Sequence, residues 1–330
     1  MPAKVAFPIR IEGAMDTTEQ QASKAFPSES GADPQIETAR DAESESVWKT
    51  LRAGIREVME YRELLFQLTL RDVRIRYKQA VMGFGWALVM PVLVVGAGFL
   101  VKIAMAQMSG SEFRVGSFAG MAVKALPWAF FVGAIGSATG SLTGNSNLLT
   151  KIYFPREVLP GSAVFAQAFD SAIGAIALAV VLFLFLRIGF SLQTLWVAPL
   201  ILFLFLFTTG AAFVLSCANL FFRDVKYIVQ VFVTFGIFFT PVLYEPENFG
   251  PTGCRVMMLN PLTPLLEGIR LATVEHHNLV YSLVVKSPAG LQILAWHPVY
   301  LFYAGAWALL GSAGAWVLFR RLQFVYAEYI

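Results

Sequence analysis

The chain has 330 residues, of which 57% are hydrophobic and 14% are charged, and its mean hydropathy is +0.62. Soluble globular chains are usually about 45–50% apolar and about 25% charged. The excess lies in runs of about 20 residues, the length that crosses a bilayer, so the composition excludes a soluble protein and predicts an integral membrane protein. The net charge of +3 leaves a basic surplus beside the apolar runs, which favours contact with anionic lipid over nucleic acid.

The first 79 residues divide into two segments. Residues 1–46 carry 4 Lys or Arg against 9 Asp or Glu and few large apolar groups, which predicts a disordered acidic cytoplasmic tail. Residues 47–79 have the periodicity of an amphipathic helix, and we expect it to lie in the membrane interface, with a plain cytoplasmic helix as the alternative. Its last two turns carry a cluster of cations: Arg71, Arg74, Arg76 and Lys78.

The apolar runs in residues 80–330 predict a six-span transmembrane domain, so the expected fold class is an all-α integral membrane protein. The spans are expected at about 84–106, 118–142, 161–186, 193–221, 228–244 and 298–319, and residues 245–297 form re-entrant or surface-lying helices on the outer face. Basic residues gather on one set of flanks, which places both termini in the cytoplasm.

Three charged residues in this domain have specific expectations. Lys124 lies near the outer end of the second span, where its long side chain is expected to extend towards the interface. Asp170 lies inside the third span, where a functional role is as well supported as the alternatives, an interhelical hydrogen bond or a solvated vestibule. Glu267 and Arg270 are spaced to pair along one helix.

Catalytic motifs are missing from the sequence. It contains no phosphate-binding GxxxxGK loop, no HExxH and no GxSxG, and two cysteines and three histidines have no metal-ligand spacing. We therefore predict no catalytic residue, metal or cofactor on this chain. With only Asp170 and Gln167 deep in a span and no repeated halves, uphill transport would depend on a partner ATPase rather than on an ion gradient.

Aromatic residues make up 14% of the chain and cluster in or beside the spans. Their faces could contact the apolar faces of sugar rings, although interfacial belts and packing explain most of them. The candidates for such a path are Phe84, Trp86, Trp128, Phe131, Phe235, Phe239 and Tyr244.

Five sequence blocks occur in the order seen in one transporter family. The first, RELLFQLTLRDVRIRYKQAVMGFGWALVMPVL, occupies 62–93. The others are LPWAFF (126–131), NLLTKIYFPREVLP (147–160), FFRDVKYIVQVF (221–232) with FFTPVLY (238–244), and LNPLTPLLEGIR (259–270). In combination, over about residues 60–325, they resemble the membrane permeases of ABC-2 type polysaccharide exporters, which export O-antigen, teichoic acid and some capsules.

The resemblance implies a homodimer in the bacterial inner membrane with two copies of a separate ATPase that uses ATP and Mg²⁺. The implied substrate is a polyprenyl-diphosphate-linked glycan carried out of the cytoplasm. Guanidinium groups match phosphate oxygens, so the cations at 71–78 would flank the diphosphate entrance. They could instead serve only to set the topology. A related permease for a drug, haem or lipid, and a stand-alone channel or scaffold, are the alternative functions.

The resemblance also implies roles for two further groups of residues. Contact with the ATPase is expected from Asn147, Lys151, Tyr153, Phe154, Arg156, Glu157, Arg223 and Asp224. An outer gate is expected around Pro261, Glu267 and Arg270. The acidic tail at 1–46 has no counterpart in the family pattern and receives no role.

Overall fold

A computed structural model describes residues 47–78, 115–151, 154–184, 187–286 and 292–322, with isolated positions between 85 and 107. The acidic tail and most of the first predicted span lie outside the described residues. Residues 47–330 form one compact unit.

The amphipathic N-terminal segment forms two helices, α1 (Val47–Glu60) and α2 (Arg62–Tyr77), which are separated only by Tyr61. Their interiors contain no proline, and α2 is rich in leucine and arginine, which favour helix. In α2, Leu68 and Val73 are buried against the protein, whereas Arg74 is exposed. The outer side of α2 is mixed, because the apolar side chains of Phe66 and Ile75 are exposed as well as Arg74.

Within the described residues, four helical segments are long and apolar enough to cross a membrane: Gly116–Thr139, Val158–Leu184, Leu192–Phe221 and Pro298–Leu322. They comprise α3 (Val115–Thr139), α6 (Val158–Leu184), a 3₁₀ turn (Leu192–Trp196) continuing into α7 (Val197–Phe221), and α11 (Pro298–Leu322). They coincide with four of the predicted spans, and the all-α membrane fold class is confirmed.

The segment predicted as the fifth span, 228–244, contains a shorter helix, α8 (Val225–Phe239). Its 15 residues extend about 22 Å, less than the ~30 Å hydrocarbon thickness. The helix ends because Pro241 disfavours the α conformation of the residue before it, and Thr240 is accordingly extended at φ −106° and ψ 126°.

The protein core forms where α3, α6, α7 and the outer helix α10 (Leu262–Thr273) pack together. Helix α7 also packs closely on α11. A Cβ added at Gly210 would lie 2.8 Å from the Cα of Ser312, so only glycine permits this approach of the two backbones. At the end of the bundle where α2 packs, α4 (Ser141–Gly144) and α5 (Ser146–Lys151) connect α3 to α6.

The outer segment contains a 3₁₀ turn (Pro246–Phe249), α9 (Gly250–Met258) and α10, as the predicted outer helices require. It also contains a hairpin that the sequence did not indicate, with β1 (Leu283–Lys286) antiparallel to β2 (Gln292–Trp296). Strands of four and five residues are too short for a clear alternating pattern. Trp296 is fully buried and its Nε1 donates to the carbonyl oxygen of Leu279 at 2.9 Å.

Candidate functional site

The cationic end of α2 is fixed to α6 by an ion pair. Arg76 Nη1 lies 2.5 Å from Asp170 Oδ2 and 2.8 Å from Gln167 Oε1. The hydroxyl of Tyr77 donates to the other oxygen of Asp170 at 2.7 Å. Burial, followed by the hydrogen bond to Asp170, raises the pKa of Tyr77 to about 12, so its proton stays in place.

This arrangement confirms the interhelical hydrogen bond that was one of the readings of Asp170. The residue is 8% exposed, and both carboxylate oxygens are occupied by side chains of α2. A buried carboxylate requires such partners because desolvation disfavours its charge. Asp170 is thus an interhelical anchor for the cationic helix.

A second anchor lies one turn earlier. Arg71 Nη2 lies 2.9 Å from Asp72 Oδ1, and Ser162 at the start of α6 donates to Asp72 Oδ2 at 3.3 Å. The charge of Arg71 is thereby compensated within α2 itself. Arg71 and Arg76, two of the four predicted entrance cations, are engaged with acidic side chains of the protein.

The other two cations, Arg74 and Lys78, remain open. Both are exposed, and neither forms an ion pair within the part of the chain that the structure describes. They stand four residues apart, which places them on the same side of a helix. An exposed guanidinium next to an ammonium is an anion site in chemical terms, and phosphate oxygens are its natural ligands.

The residues predicted to contact the ATPase differ in how exposed their side chains are. Asn147 in α5 is exposed, as are Arg223 and Asp224 in the turn between α7 and α8. Phe154 is 8% exposed and packs in a hydrophobic cluster where the start of α6 meets α7 and α11. Arg156 is half-buried, and the side chain of Lys151 and all of Tyr153 lie outside the description.

Glu157, by contrast, faces inwards and meets a residue that the sequence analysis used only as an orientation signal. Arg320, near the end of α11, donates from Nε to Glu157 Oε1 at 2.7 Å. The same guanidinium donates from Nη2 to Glu57 Oε2 in α1 at 2.5 Å. The sequence shows that several glutamates carry the charge needed to pair with Arg320. It does not indicate that Glu57 and Glu157 are the ones that do so.

The candidate aromatic path is divided as well. Phe84 and Trp86 lie outside the described residues, and Trp128 is 7% exposed and packs on Phe131 at a ring-centroid distance of 5.7 Å. Phe235 and Phe239 of α8 are 57% and 75% exposed. Further exposed aromatic residues of α8 extend this face: Tyr227, Phe232 and Phe238.

The outer end carries a buried ionic network around Lys124, which is only 1% exposed. The expectation that Lys124 extends towards the interface is therefore wrong. Its ammonium donates to the carbonyl oxygen of Tyr244 at 2.6 Å and lies 3.4 Å from Glu267 Oε2, because the loop and helix α10 cover it. Two acceptors satisfy the buried charge.

Arg270 completes the network and confirms the predicted pair with Glu267. Arg270 Nε donates to Glu267 Oε1 at 2.6 Å, and its two terminal nitrogens reach Glu247 at 3.1 Å and Glu275 at 2.9 Å. Pro261 lies directly before α10 and caps its start. Glu267 and Arg270, two of the three predicted outer-gate residues, therefore belong to one ionic network.

The network shifts the proton affinity of its carboxylates in opposite directions. Burial, reinforced by the charge of Glu267, raises the pKa of Glu247 to about 7 despite nearby Arg270. For Glu267, burial raises the pKa, but the charges of Arg270 and Lys124 together outweigh it and lower the pKa below the ordinary value. Glu267 is therefore the fixed anion of the network and Glu247 the titrating one.

The described residues contain no further candidate site for a metal ion or a diphosphate. No grouping of three or more His, Cys, Asp or Glu among them could hold a metal ion. A cavity of about 530 Å³ lies between α3, α6 and α7, with Leu126, Ala172 and Leu204 among its residues. Its lining is almost entirely apolar, which excludes it as a diphosphate site.

Comparisons with known proteins agree with this architecture. Residues 63–273 match the family described as ABC-2 type transporter. The chain is 29% identical over 228 residues to the O-antigen export system permease protein RfbA of Myxococcus xanthus, covering 67% of this chain and 84% of that protein. It is 26% identical over 205 residues to the permease of the same name from Klebsiella pneumoniae, covering 62% and 77%.

The family match extends from the cationic helix α2 to the outer helix α10, and so includes both the α2–α6 anchor and the outer network. Permeases of this family are membrane components that are not themselves catalytic. The chain belongs to the ABC-2 type transporter family and is a multi-pass permease subunit of an exporter.

Proposed function

We propose that this chain is the membrane subunit of an ATP-driven exporter that carries a polyprenyl-diphosphate-linked, O-antigen-like glycan out of the cytoplasm. The observation that carries the proposal is the pair of open cations, Arg74 and Lys78, on a helix anchored to α6 by the Arg76–Asp170 ion pair. The names of the similar permeases, which are O-antigen exporters, support the glycan.

The two open cations suit a diphosphate better than a neutral or cationic solute. Arg74 offers a planar fork and Lys78 a mobile ammonium, so together they can contact separate phosphate oxygens. The anchored residues Arg71 and Arg76 set the position of α2, and their own charges are compensated by Asp72 and Asp170. Within this one cluster, Arg74 and Lys78 would bind the substrate, whereas Arg71 and Arg76 would orient the helix.

Energy is supplied in this proposal by a separate ATPase that binds ATP and Mg²⁺, with two copies serving a homodimer of this chain. The exposed surfaces at Asn147 and at Arg223–Asp224 are the docking sites. The proposal places the chain in the bacterial inner membrane with both termini in the cytoplasm, which puts these surfaces on the ATPase side.

The glycan would pass along the exposed aromatic face of α8, where Phe235 and Phe239 can contact sugar rings, towards Tyr244. The outer gate would be the α10 region, with Pro261 at the helix start and Glu267 and Arg270 in the ionic network. Trp128 and Phe131 would support this path from the core.

The test is surface glycan in cells that lack the chromosomal copy and carry one variant. Arg74→Ala combined with Lys78→Ala is expected to lower export about tenfold, the effect of losing one to two charged hydrogen bonds, with the amount of chain unchanged. Arg62→Ala, at an exposed cation at the start of the same helix, is the matched control and should export normally. Normal export by the double variant would contradict the entrance role.

If cells keep all of their surface glycan when the chain is deleted, the proposal of a glycan substrate is contradicted. Accumulation of a drug, haem or lipid in such cells would favour the alternative permease function. Loss of one surface polymer identifies the glycan directly.

A further inference from the structure

One guanidinium joins three separate parts of the chain. Arg320 of α11 bonds Glu157, which directly precedes α6, and Glu57, which lies in α1. Glu157 follows α5 and the residues that carry the proposed ATPase-facing surface. Nothing in the family match or the names of the relatives assigns a role to this contact.

The Arg320–Glu157 pair is buried, whereas the side chain of Glu57 is 34% exposed and lies at the edge of the contact. The side chain of Glu157 is 2% exposed and that of Arg320 is 13% exposed. Burial protects the pair from screening by salt. Arginine is required in this position because its planar fork can present separate nitrogens to two carboxylates at once.

Gly54 is an independent sign that α1 is fitted to this guanidinium. A Cβ added at residue 54 would lie 2.9 Å from Nε and 3.0 Å from Cζ of Arg320. Glycine is a poor residue inside a helix, so its use in the middle of α1 needs a reason. The reason here is the close approach of the α1 backbone to Arg320.

The position of α1 connects this triad to the substrate entrance. Only Tyr61 separates α1 from α2, and α2 carries Arg74 and Lys78. We propose that Arg320 is a positioning residue that transmits movement of the ATPase-facing segment, through Glu157 and Glu57, to the entrance helix α2. This inference rests on the proposed function.

The experiment weakens the contact between α1 and Arg320, and Glu57→Gln does so without altering either member of the buried Glu157–Arg320 pair. Glu57→Gln removes the charge that α1 offers, and Gly54→Ala pushes the guanidinium away from α1. Arg321→Ala is the matched control, because Arg321 is the next residue and is exposed. The full chain is purified with the ATPase that co-purifies with it.

The first readout is amide hydrogen exchange of residues 62–77 with and without that ATPase bound, which needs no glycan. We expect ATPase binding to change the exchange rates in the unmodified chain and in Arg321→Ala. In Glu57→Gln and Gly54→Ala the change is expected to be about threefold smaller, within the range of measured coupling effects.

The second readout is surface glycan exported relative to ATP hydrolysed. In the two α1 variants this ratio should fall about three- to tenfold while the rate of ATP hydrolysis is kept. An unchanged exchange response and an unchanged ratio would overturn the inference. Loss of ATPase binding would also overturn it, because the triad would then be merely structural.

Failure of the proposed function has a different signature. If no ATPase co-purifies with the unmodified chain, the ATP-driven mechanism itself is excluded, and the inference falls with it. If the exchange response is lost in the α1 variants but no glycan depends on the chain, the coupling contact stands and only the substrate is wrong.

Discussion

Arg76 on the entrance helix and Asp170 on a membrane-spanning helix form an ion pair with a 2.5 Å contact across 94 positions of sequence. The pair explains why an acid lies within the membrane and why one cation of the entrance cluster is not free. It also fixes the position of the neighbouring exposed cations, Arg74 and Lys78, relative to α6. In the proposed entrance, anchoring would therefore fall to Arg71 and Arg76 and substrate binding to Arg74 and Lys78.

Replacing Asp170 tests the anchor. Asp170→Ala leaves Arg76 and Tyr77 without their shared acceptor, and we expect a loss of about 1.5–3 kcal/mol of stability, the usual value of charged hydrogen bonds. Thermal unfolding of the purified chain measures this loss. Asp224→Asn, at an exposed carboxylate, should leave the unfolding temperature unchanged. Equal unfolding temperatures for the two variants would contradict the anchor.

Lys124 should be essential to the outer network. Lys124→Met removes one of two cations that compensate the fully buried Glu267, and loss of one partner of a buried pair costs about 3–5 kcal/mol. We expect a value near the lower end because Arg270 remains. Chemical or thermal unfolding provides the measurement.

A double variant, Lys124→Met with Glu267→Gln, supplies the control for this prediction. It removes both charges together, so it should be less destabilised than the sum of the single variants. Additive losses would show that the two residues do not interact.

Glu247 makes the outer segment sensitive to pH. Its pKa is raised from 4.5 to about 7, so between these values the folded chain holds a proton that the unfolded chain releases. This contribution to stability is complete below pH 4.5 and is lost as the pH rises towards 7. The total change is at most about 3.5 kcal/mol, because one pKa unit corresponds to about 1.4 kcal/mol.

The measurement is the unfolding temperature of the chain from about pH 5 to about pH 8, compared with Glu247→Gln, with buffers spanning the shifted pKa. The charges that surround Glu247 are Arg270, Glu267 and Lys124, and they are unchanged in that variant. The unmodified chain should lose stability relative to the variant as the pH rises. Parallel curves would show that Glu247 does not titrate, and Glu60→Gln, at an exposed glutamate of α1, controls for the loss of one carboxylate.

The topology predicts opposite labelling of two introduced cysteines. Phe190→Cys replaces a residue that is 72% exposed in the outer turn, and Arg223→Cys lies in the turn between α7 and α8. The native Cys217 and Cys254 are both buried, so they contribute little background. An impermeant thiol reagent applied to intact cells should label residue 190 and spare residue 223, and the reverse pattern would contradict the orientation.

Hydropathy was sufficient to predict the long spans, because uninterrupted apolar runs have few other structures available to them. It was less successful at 228–244, where Thr240 and Pro241 end the helix early. A window average counts apolar residues on both sides of a proline, whereas the backbone cannot continue the helix through it. The β1–β2 hairpin was missed because its strands are short.

The sequence predicted many of the charged residues of the candidate site, but it did not predict which of them pair over long sequence distances. The sequence indicated a cationic cluster and the short-range pair Glu267–Arg270, since these depend on local spacing. It could not show that Lys124 meets a carboxylate 143 residues away or that Arg320 meets Glu57 across 263 positions. Such contacts depend on helix packing, and the snorkelling expected for Lys124 failed for that reason.

The central claim is tested most directly in vesicles that contain the purified chain with its co-purifying ATPase. The measured quantity is ATP hydrolysis with and without a polyprenyl-diphosphate-linked glycan on the ATPase side. The account predicts that the glycan stimulates hydrolysis with the unmodified chain and with Arg62→Ala. It predicts loss of that stimulation when Arg74 and Lys78 are both replaced by alanine. Equal stimulation in the double variant, or no stimulation by the glycan in any chain, would contradict the account.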